Sequence, residues 1–264
     1  MIGIVGAGNM GSALARGWGE PVYATDSGSG RARRLVAELG GDVLGSNAEL
    51  FEKADPIILA HPPHKLAAVA AGARAAGKTV ISVLGPTKVD ELRKTFPESK
   101  VARTMPNTPV AIRRGVTCVA EGGEHAVTLL ERVGRVFVLP ESLMDLGTAT
   151  AGVMPAYVAL IAEAAIDAAV CYGLPLQLAR DMFLTTLAGS AELIMARQGD
   201  TLAVRREVGS PGEATVRGLA ALERHNVRTA LHEATRAVLE RLRLPYEGQP
   251  VVISASRGRP GLSS

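Results

Sequence analysis

Cysteine is scarce in this sequence: Cys118 and Cys171 are the two cysteines among 264 residues. Two cysteines so far apart do not form a disulfide framework or a cysteine-based zinc site. The five histidines also lack metal-ligand spacing. The sequence therefore predicts no metal centre. The low cysteine content, with no signal peptide ahead of the first predicted strand, predicts a protein of the reducing cytoplasm.

Aromatic residues and concentrated charge are lacking too. Aromatics make up 3% of the chain, the formal net charge is +3, and basic residues are scattered in pairs such as Arg113-Arg114. A nucleic-acid surface needs a basic stripe, usually with aromatic side chains for stacking, so no nucleic-acid partner is expected. The longest uncharged run, residues 146–162, is shorter than the roughly twenty apolar residues that span a bilayer. It predicts a buried helix, and no membrane partner is expected.

Short β-branched runs alternate with helical patterns in the first half. This predicts an α/β Rossmann domain over residues 1–143, with a doubly wound, mostly parallel sheet. The predicted strands are residues 1–5, 21–25, 56–60, 79–84, 100–104 and 116–120, with 135–138 at an edge.

The second half shows helical patterns alone. Residues 144–245 predict an all-α domain, followed by a flexible tail over 246–264. Its first long helix, residues 148–172, is apolar on every face, so it must be enclosed in a large domain or between subunits. A domain of this size has difficulty enclosing such a helix alone, which favours a homodimer.

The stretch Gly6-Ala7-Gly8-Asn9-Met10-Gly11 directly follows the first predicted strand and opens a helix. This context fits the dinucleotide fingerprint: the first glycine makes a tight turn, the second admits the pyrophosphate and the third packs helix on strand. Asp26 ends the second predicted strand, where an acid accepts hydrogen bonds from the ribose diol of NADH. The sequence therefore predicts a site for a nicotinamide dinucleotide.

The residues after Asp26 point toward NADPH instead. Ser27, Ser29, Arg31, Arg33 and Arg34 offer charge-assisted hydrogen bonds to a 2′-phosphate. The arginines are equally well interpreted as a solvated first helical turn. The choice between NADH and NADPH stays open at this point.

Lysine is absent after Lys100. The two-domain plan also suits 3-hydroxyacid dehydrogenases, in which a lysine of the second domain carries the proton. Arginine cannot replace that lysine because its guanidinium stays protonated. The lysine mechanism is therefore excluded.

Two further stretches carry a family resemblance. Residues 103–109, Arg-Thr-Met-Pro-Asn-Thr-Pro, and residues 209–215, Gly-Ser-Pro-Gly-Glu-Ala-Thr, resemble the two hallmark motifs of the pyrroline-5-carboxylate reductase family. Pro155-Ala156-Tyr157 and Gly173-Leu174-Pro175 extend the resemblance over nearly the whole chain. It implies NAD(P)H-dependent reduction of 1-pyrroline-5-carboxylate to L-proline, a step of proline biosynthesis, in a homodimer or larger homo-oligomer built on the helical domain.

The resemblance also implies roles for individual residues. It places the nicotinamide near Met105 and Asn107, and Thr215 at the ring nitrogen as hydrogen-bond partner or proton donor. The implied substrate-binding residues are Glu163, Ser210, Pro211, Gly212, Ala214 and Thr215. A helix that starts at Pro211 attracts the substrate carboxylate to its amino end. Together with the glycine motif, the predicted cofactor-binding set is Gly6, Gly8, Asn9, Met10, Gly11, Asp26, Ser27, Asn47, His61, Pro62, Pro63, Met105 and Asn107. His61 is equally well interpreted as a solvated loop residue.

Four departures from the family pattern fall at the expected site. The usual V-K-P is His61-Pro62-Pro63, with Lys65 as the candidate to replace the lost lysine. The usual A-G is Gly85-Pro86, S-G-S-G is Ala151-Gly152-Val153-Met154, and Glu213 replaces the second glycine of S-P-G-G.

The fourth departure leaves alternatives open. Ser210 to Glu213 also fits a capping box that only starts a helix, with Ser210 as N-cap. We hypothesise weakened affinity for pyrroline carboxylate, because the Glu213 charge opposes a bound anion. The alternative functions are reduction of another cyclic imine and non-catalytic dinucleotide binding or sensing.

Overall fold

The structure is a computed structural model that describes residues 1–210 and 213–243. Its first half holds an eight-stranded sheet: β1 (Gly3–Val5), β2 (Val22–Thr25), β3 (Gly41–Val43), β4 (Ile57–Leu59), β5 (Thr79–Ser82), β6 (Lys100–Pro106), β7 (Gly115–Ala120) and β8 (Gly134–Leu139). The strand order is β3-β2-β1-β4-β5-β6-β7-β8. The β6–β7 pair is antiparallel and the other pairs are parallel. The predicted Rossmann domain with a mostly parallel sheet is confirmed.

Helices cover the sheet and then form the second half. They are α1 (Asn9–Trp18), α2 (Arg31–Leu39), α3 (Asn47–Lys53), α4 (Leu66–Ala70), α5 (Val89–Thr95), α6 (Val127–Glu131), α7 (Met144–Gly147), α8 (Met154–Cys171), α9 (Leu176–Ala196), α10 (Thr201–Val208), α11 (Ala214–Arg224) and α12 (Val227–Arg243). The predicted all-α second half is confirmed for the described residues. The predicted flexible tail, 246–264, lies outside them.

Neighbouring residues of one strand contribute to two separate cores. Ile4 belongs to the cluster that contains Leu14 and Trp18 of α1, whereas Val5 belongs to the cluster of Leu50 and Phe51 from α3. Successive side chains of a strand point to opposite faces of the sheet. Both faces are therefore buried beneath helices, which explains why these strands are continuous apolar runs in the sequence.

The edge strand β3 was missed in the sequence. It is three residues long, and Asp42 and Val43 are exposed, so it has no hydrophobic pattern. Gly41 has a φ of +97°, and a Cβ there would lie 2.0 Å from the Val22 carbonyl oxygen. Close approach of two backbones, and not side-chain burial, therefore places this strand beside β2.

The helix predicted over residues 148–172 is interrupted. Thr148–Gly152 form a π-helical turn, in which the Val153 N–H donates to the Thr148 carbonyl at 3.1 Å, and α8 begins at Met154. Pro155, in the first turn of α8, has no N–H with which to continue the hydrogen-bond ladder. The interruption puts this turn at the junction of the two halves, where Ala151 accepts a hydrogen bond from Asn107 of the first half.

Helices α8 and α9 are largely exposed in the single chain. Ala162 and Ala179 are their buried residues, whereas Leu160 is 64% exposed and Tyr172, at the end of α8, is 94% exposed. Residues 141–171 are long and apolar enough to cross a membrane by length and composition, and 6% of their most apolar window is buried. The uncharged run inside this stretch, residues 146–162, is bounded by Asp145 and Glu163, and one such helix is weak evidence for a membrane span. One chain alone does not enclose the helix that the sequence predicts to be buried.

Arg103 on β6 joins the two halves. Its buried guanidinium donates to the Gly85 carbonyl at 2.9 Å and forms ion pairs with Glu141 at 3.1 Å and Asp145 at 3.3 Å. Glu141 also accepts a hydrogen bond from the Val89 N–H at 2.7 Å. Arg103 thus joins the loop after β5 to the start of the helical half, and its partner Glu141 extends the contact to the start of α5.

Arg103→Ala is expected to lower the free energy of unfolding by about 3 kcal/mol, because it breaks a buried charge pair and leaves two carboxylates without their partner. The matched control is Arg132→Ala, which removes an exposed ion pair with Glu20. That loss should cost less than about 1 kcal/mol. Urea unfolding at one protein concentration measures both variants, and equal effects would contradict the role of Arg103 as a junction.

Candidate active site

A cleft of about 450 Å³ opens at the carboxyl ends of β1, β2 and β4. The strand order reverses here, because β1 lies between β2 and β4. Open parallel sheets bind their ligands at such a switch point. The cofactor-binding residues predicted from the sequence that line this cleft are Gly6, Gly8, Asp26, Ser27, Asn47, His61 and Pro62.

The glycine turn between β1 and α1 forms one wall of the cleft. Gly6 has a φ of +99°, and a Cβ there would lie 2.7 Å from the Ala60 carbonyl oxygen. A Cβ on Gly11 would lie 2.4 Å from the Gly6 carbonyl oxygen, whereas a Cβ on Gly8 would meet its nearest neighbour at 3.9 Å. These are the three roles that the fingerprint assigns. The first N–H groups of α1 have no intrahelical acceptor, so they are available to an anion.

Asp26 is held by its own loop. One carboxylate oxygen accepts from the Gly28 N–H at 2.8 Å, and the other accepts from the Ala32 N–H at 2.8 Å and the Ser29 hydroxyl at 3.1 Å. The Ala32 bond, supported by the others, lowers the pKa of this carboxyl. Asp26 is therefore ionised at neutral pH and supplies the side-chain cap that the N-cap residue of α2, Gly30, cannot give.

His61 brings an unsatisfied acceptor to the cleft. Its Nδ1 lies 2.9 Å from the Pro62 carbonyl oxygen, and its Nε2 is buried without a partner among the described residues. Burial lowers the pKa of His61, so the ring is neutral at pH 7. With Nδ1 as the donor, Nε2 is left as an acceptor that a ligand hydroxyl can satisfy.

Polar and apolar groups complete the cleft. The Asn47 side-chain oxygen accepts from the Thr25 hydroxyl at 2.8 Å. Lys65 lines the cleft, so a lysine is present even though the family's usual lysine is replaced. Ala68 and Val69 of α4 form an apolar wall that was missed in the sequence. The apolar sequence of α4, Leu66–Ala70, directly after the loop with His61 and His64, could have predicted that wall.

Six of the predicted cofactor-binding residues do not line this cleft, and four of them belong to the glycine turn, its helix or the histidine loop. Asn9 lines a smaller cavity beside it. Met10, on α1, packs against the hydrophobic cluster that contains Leu14 and Trp18. Gly11 serves the packing of α1 on β1, and Pro63 starts a short 3₁₀ turn. Their contact with a cofactor stays a prediction.

Met105 and Asn107 lie at the junction with the helical half. The Asn107 amide donates to the Ala151 carbonyl at 3.1 Å, and its oxygen accepts from the Val116 N–H at 2.8 Å. A Cβ on Gly152 would lie 3.6 Å from Met105 Cγ. The Met-Pro-Asn motif therefore packs against the turn that contains Ala151 and Gly152 of the unusual segment 151–154, and the Asn107 side chain has a positioning role.

The described members of the predicted substrate set, Glu163, Ser210, Ala214 and Thr215, belong to the helical half and do not line the glycine-turn cleft of the same chain. Glu163 is exposed on α8, and Thr215 is in the first turn of α11. Pro211 and Gly212 lie outside the described residues. The predicted helix start at Pro211 and the capping box were wrong: α11 begins at Ala214, and Glu213 is its N-cap with no side-chain cap bond. A helix that started at Pro211 would need a helical backbone at Glu213, whereas Glu213 is extended, with φ −83° and ψ 169°.

The fold and the cleft define a Rossmann protein that carries a dinucleotide-binding site and a helical second half. Residues 141–244 match the family model described as pyrroline-5-carboxylate reductase dimerisation, and residues 1–86 match that described as NADP oxidoreductase, coenzyme F420-dependent. The chain is 34% identical over 258 residues to pyrroline-5-carboxylate reductase of Synechocystis, covering 91% of this chain and 96% of that protein. It is 32% identical over 255 residues to the Thermus thermophilus enzyme of that name, and the match covers 91% of this chain and 96% of that protein. The chain therefore belongs to the pyrroline-5-carboxylate reductase family.

Solved structures agree with this assignment. The structure of pyrroline carboxylate reductase from Plasmodium falciparum with NADP bound matches with a TM-score of 0.81 at 27% identity, covering 91% of this chain and 97% of that one. The 1-pyrroline-5-carboxylate reductase of Streptococcus pyogenes matches with a TM-score of 0.83 at 25% identity and the same coverage. The family expected from the sequence motifs is thus confirmed.

Gly8→Ala is expected to weaken NADPH binding at least tenfold and to leave the melting temperature within about 3 °C of the wild type, since the added Cβ enters open space where backbone and ligand meet. Gly11→Ala is the matched comparison: it forces a Cβ into the Gly6 carbonyl and should lower the melting temperature clearly more. Fluorescence titration and thermal unfolding measure the two effects. Unchanged affinity in Gly8→Ala would contradict the assigned role of the turn.

Proposed function

We propose that this chain reduces 1-pyrroline-5-carboxylate to L-proline with NADH or NADPH, as a cytoplasmic enzyme of proline biosynthesis. The single observation that supports this most is the glycine-turn cleft at the switch point of a chain that belongs to the reductase family. We keep the predicted division into a dinucleotide-binding domain, residues 1–143, and a helical domain from residue 144. In support, β8 ends at Leu139 and the described elements after it are helical.

The cleft fits a nicotinamide dinucleotide on three features. Gly8 leaves room for a pyrophosphate close to the backbone, the amino end of α1 attracts its charge, and the neutral His61 ring offers Nε2 to a ribose hydroxyl. Bound there, the dinucleotide supplies the hydride. Asn47 and Lys65 add polar groups along the same wall.

The protein's task in this reaction is mainly orientation. A protonated cyclic imine is already electrophilic, so the enzyme has to hold its carboxylate and align the imine carbon, an effect that can contribute several kcal/mol. We assign the carboxylate to the amino end of α11, with Ser210, Pro211, Gly212 and Ala214, and we place Glu163 on the substrate side. Thr215 holds the proton on the ring nitrogen while the imine carbon accepts the hydride.

The assay that tests this function follows NADH and NADPH oxidation with pyrroline-5-carboxylate, with the six-membered piperideine carboxylate and with no substrate. We expect oxidation with pyrroline-5-carboxylate and formation of one proline for each cofactor oxidised. Oxidation with the larger ring alone would assign the chain to another cyclic imine. Cofactor binding without oxidation would support a sensing role and overturn the proposal.

We further propose that the active enzyme is a homodimer built on the helical half. The predicted substrate residues that the structure describes do not line the cleft of their own chain, and α8 and α9 expose large apolar side chains. Burying such surface against a second copy is favourable and completes the site. The match of residues 141–244 to a dimerisation model supports the same face.

Light scattering is expected to give twice the mass of one chain for the wild type. Leu160→Glu, at a side chain that is 64% exposed on α8, should shift the mass toward that of a single chain, because it buries a charge in the interface. Ile112→Glu is the control, since Ile112 is 73% exposed on the Rossmann half. A single-chain mass for the wild type would exclude the dimer.

Glu213→Gln is expected to lower KM for pyrroline-5-carboxylate about fivefold, since removing a carboxylate near a bound anion relieves about 1 kcal/mol of repulsion. Glu213→Asp keeps the charge and should leave KM near the wild-type value. Initial-rate kinetics at saturating cofactor compares the three proteins. An unchanged KM in Glu213→Gln would show that Glu213 is distant from the substrate.

A further inference from the structure

We propose that Arg103 is a positioning residue for hydride transfer. Through the Gly85 carbonyl it fixes the turn after β5, and with it Met105, so that the nicotinamide half of the cofactor lies against a rigid support. This inference rests on the proposed function, because it takes a nicotinamide dinucleotide to extend from the glycine-turn cleft across the sheet.

The turn after β5 lies on the side of the sheet where the nicotinamide belongs. A doubly wound sheet binds one nucleotide half on each side of its switch point. Asp26, at the end of β2, is on the adenosine side, and β4, β5 and β6 follow on the other side of β1. These three strands are parallel to β1, so Gly85 and Met105 lie at the same edge of the sheet as the cleft. A Cβ on Gly85 would lie 3.0 Å from Met105 Cε, so the turn and this side chain are in contact.

The turn itself has few means of fixing its central peptide. The Leu84 carbonyl accepts from the Thr87 N–H at 2.9 Å, which closes the turn. Gly85 has no side chain, and Pro86 has no N–H to donate. The hydrogen bond from Arg103 Nη2 to the Gly85 carbonyl, at 2.9 Å, therefore holds the peptide that joins Gly85 to Pro86.

Stability of the junction alone does not account for an arginine at this position. Arg103 is 4% exposed, and its Nε is buried with no hydrogen-bond partner in the described part of the chain. A buried ion pair often stabilises a protein no more than apolar side chains of similar volume, and an orphaned N–H adds a desolvation cost. The bond to the Gly85 carbonyl is what an apolar side chain could not supply. Arg103 does not line the glycine-turn cleft, so it acts through the turn and not by contact with the cofactor.

Arg103→Lys separates positioning from junction stability. One ammonium cannot reproduce the planar fork that reaches Gly85, Glu141 and Asp145 together. It should keep the charge-assisted contacts with the carboxylates and lose the bond to the turn. Two measurements use whichever of NADH and NADPH binds more tightly: the fluorescence lifetime of the bound nicotinamide, without imine, and initial rates with cofactor that carries deuterium at C4.

We expect the lifetime in Arg103→Lys to fall toward that of the free cofactor, because the ring is held less firmly. Cofactor affinity should stay within about twofold, since the cleft is unchanged. With pyrroline-5-carboxylate, kcat should fall about tenfold and the deuterium isotope effect should rise, because misalignment slows the hydride transfer itself.

Gly85→Ala changes the same contact without touching the buried charges. Its Cβ meets Met105 Cε, the end of a flexible side chain, so the fold should tolerate it and keep its melting temperature within about 3 °C. The lifetime and the isotope effect should change in the same direction as in Arg103→Lys.

Lys78→Met is the matched control. Lys78 also donates to several backbone carbonyls, including those of Glu52 at 2.6 Å and Ala54 at 3.1 Å, but it directly precedes β5, at the opposite edge of the sheet. Its loss should lower the melting temperature and leave the lifetime, kcat and the isotope effect unchanged. An unchanged lifetime and isotope effect in Arg103→Lys, or equal changes in Lys78→Met, would overturn the positioning role. The expected lifetime changes in a chain that forms no proline would overturn the proposed function alone.

Discussion

The close approach of backbone at the glycine turn is the constraint on which the cofactor site depends. Gly6 lies against the loop after β4 and Gly11 lies against Gly6 itself, so neither position has space for a Cβ. This packing brings the amino end of α1 to the carboxyl ends of β1 and β4, where the strand order reverses. Gly8, between them, keeps the space in front of the helix open. The anion site is therefore a consequence of how α1 packs on the sheet.

The elements of the sheet and the glycine turn could be predicted because their signals are local. Apolar runs buried on both faces mark β1, β4 and β5, and the three fingerprint glycines lie within six consecutive residues. The edge strand β3 could not be predicted, because Gly41 is placed by the backbone of β2 and its neighbours are exposed.

Parts of the candidate site could not be predicted because their partners are distant in the chain or compete locally. The three-way contact of Arg103 joins residues far apart in the sequence. Asp26 follows the sequence rule for a ribose acceptor, yet its own loop provides three donors that the rule does not consider. Glu213 fits a capping box, but its extended backbone makes it the N-cap itself. For Asp26 and Glu213, the sequence identified a polar residue at the right place but not its hydrogen-bond partners.

The two halves of the chain meet where the site requires it. Asn107 and Arg103 tie the Met-Pro-Asn motif of the first half to the turn and helix that open the second half. Ala151 and Gly152 of the unusual segment 151–154 lie in that contact. The exposed α8 and α9 connect the same contact to the surface that we propose to be covered by a second copy.

The central claim is that the dinucleotide in the cleft delivers its hydride to an imine carbon held by the helical half. The most direct measurement uses NADPH that carries deuterium at the transferable C4 position, together with pyrroline-5-carboxylate, and mass spectrometry of the product. The account predicts proline with one deuterium at C5. Unlabelled proline, or oxidised cofactor without proline, would contradict it.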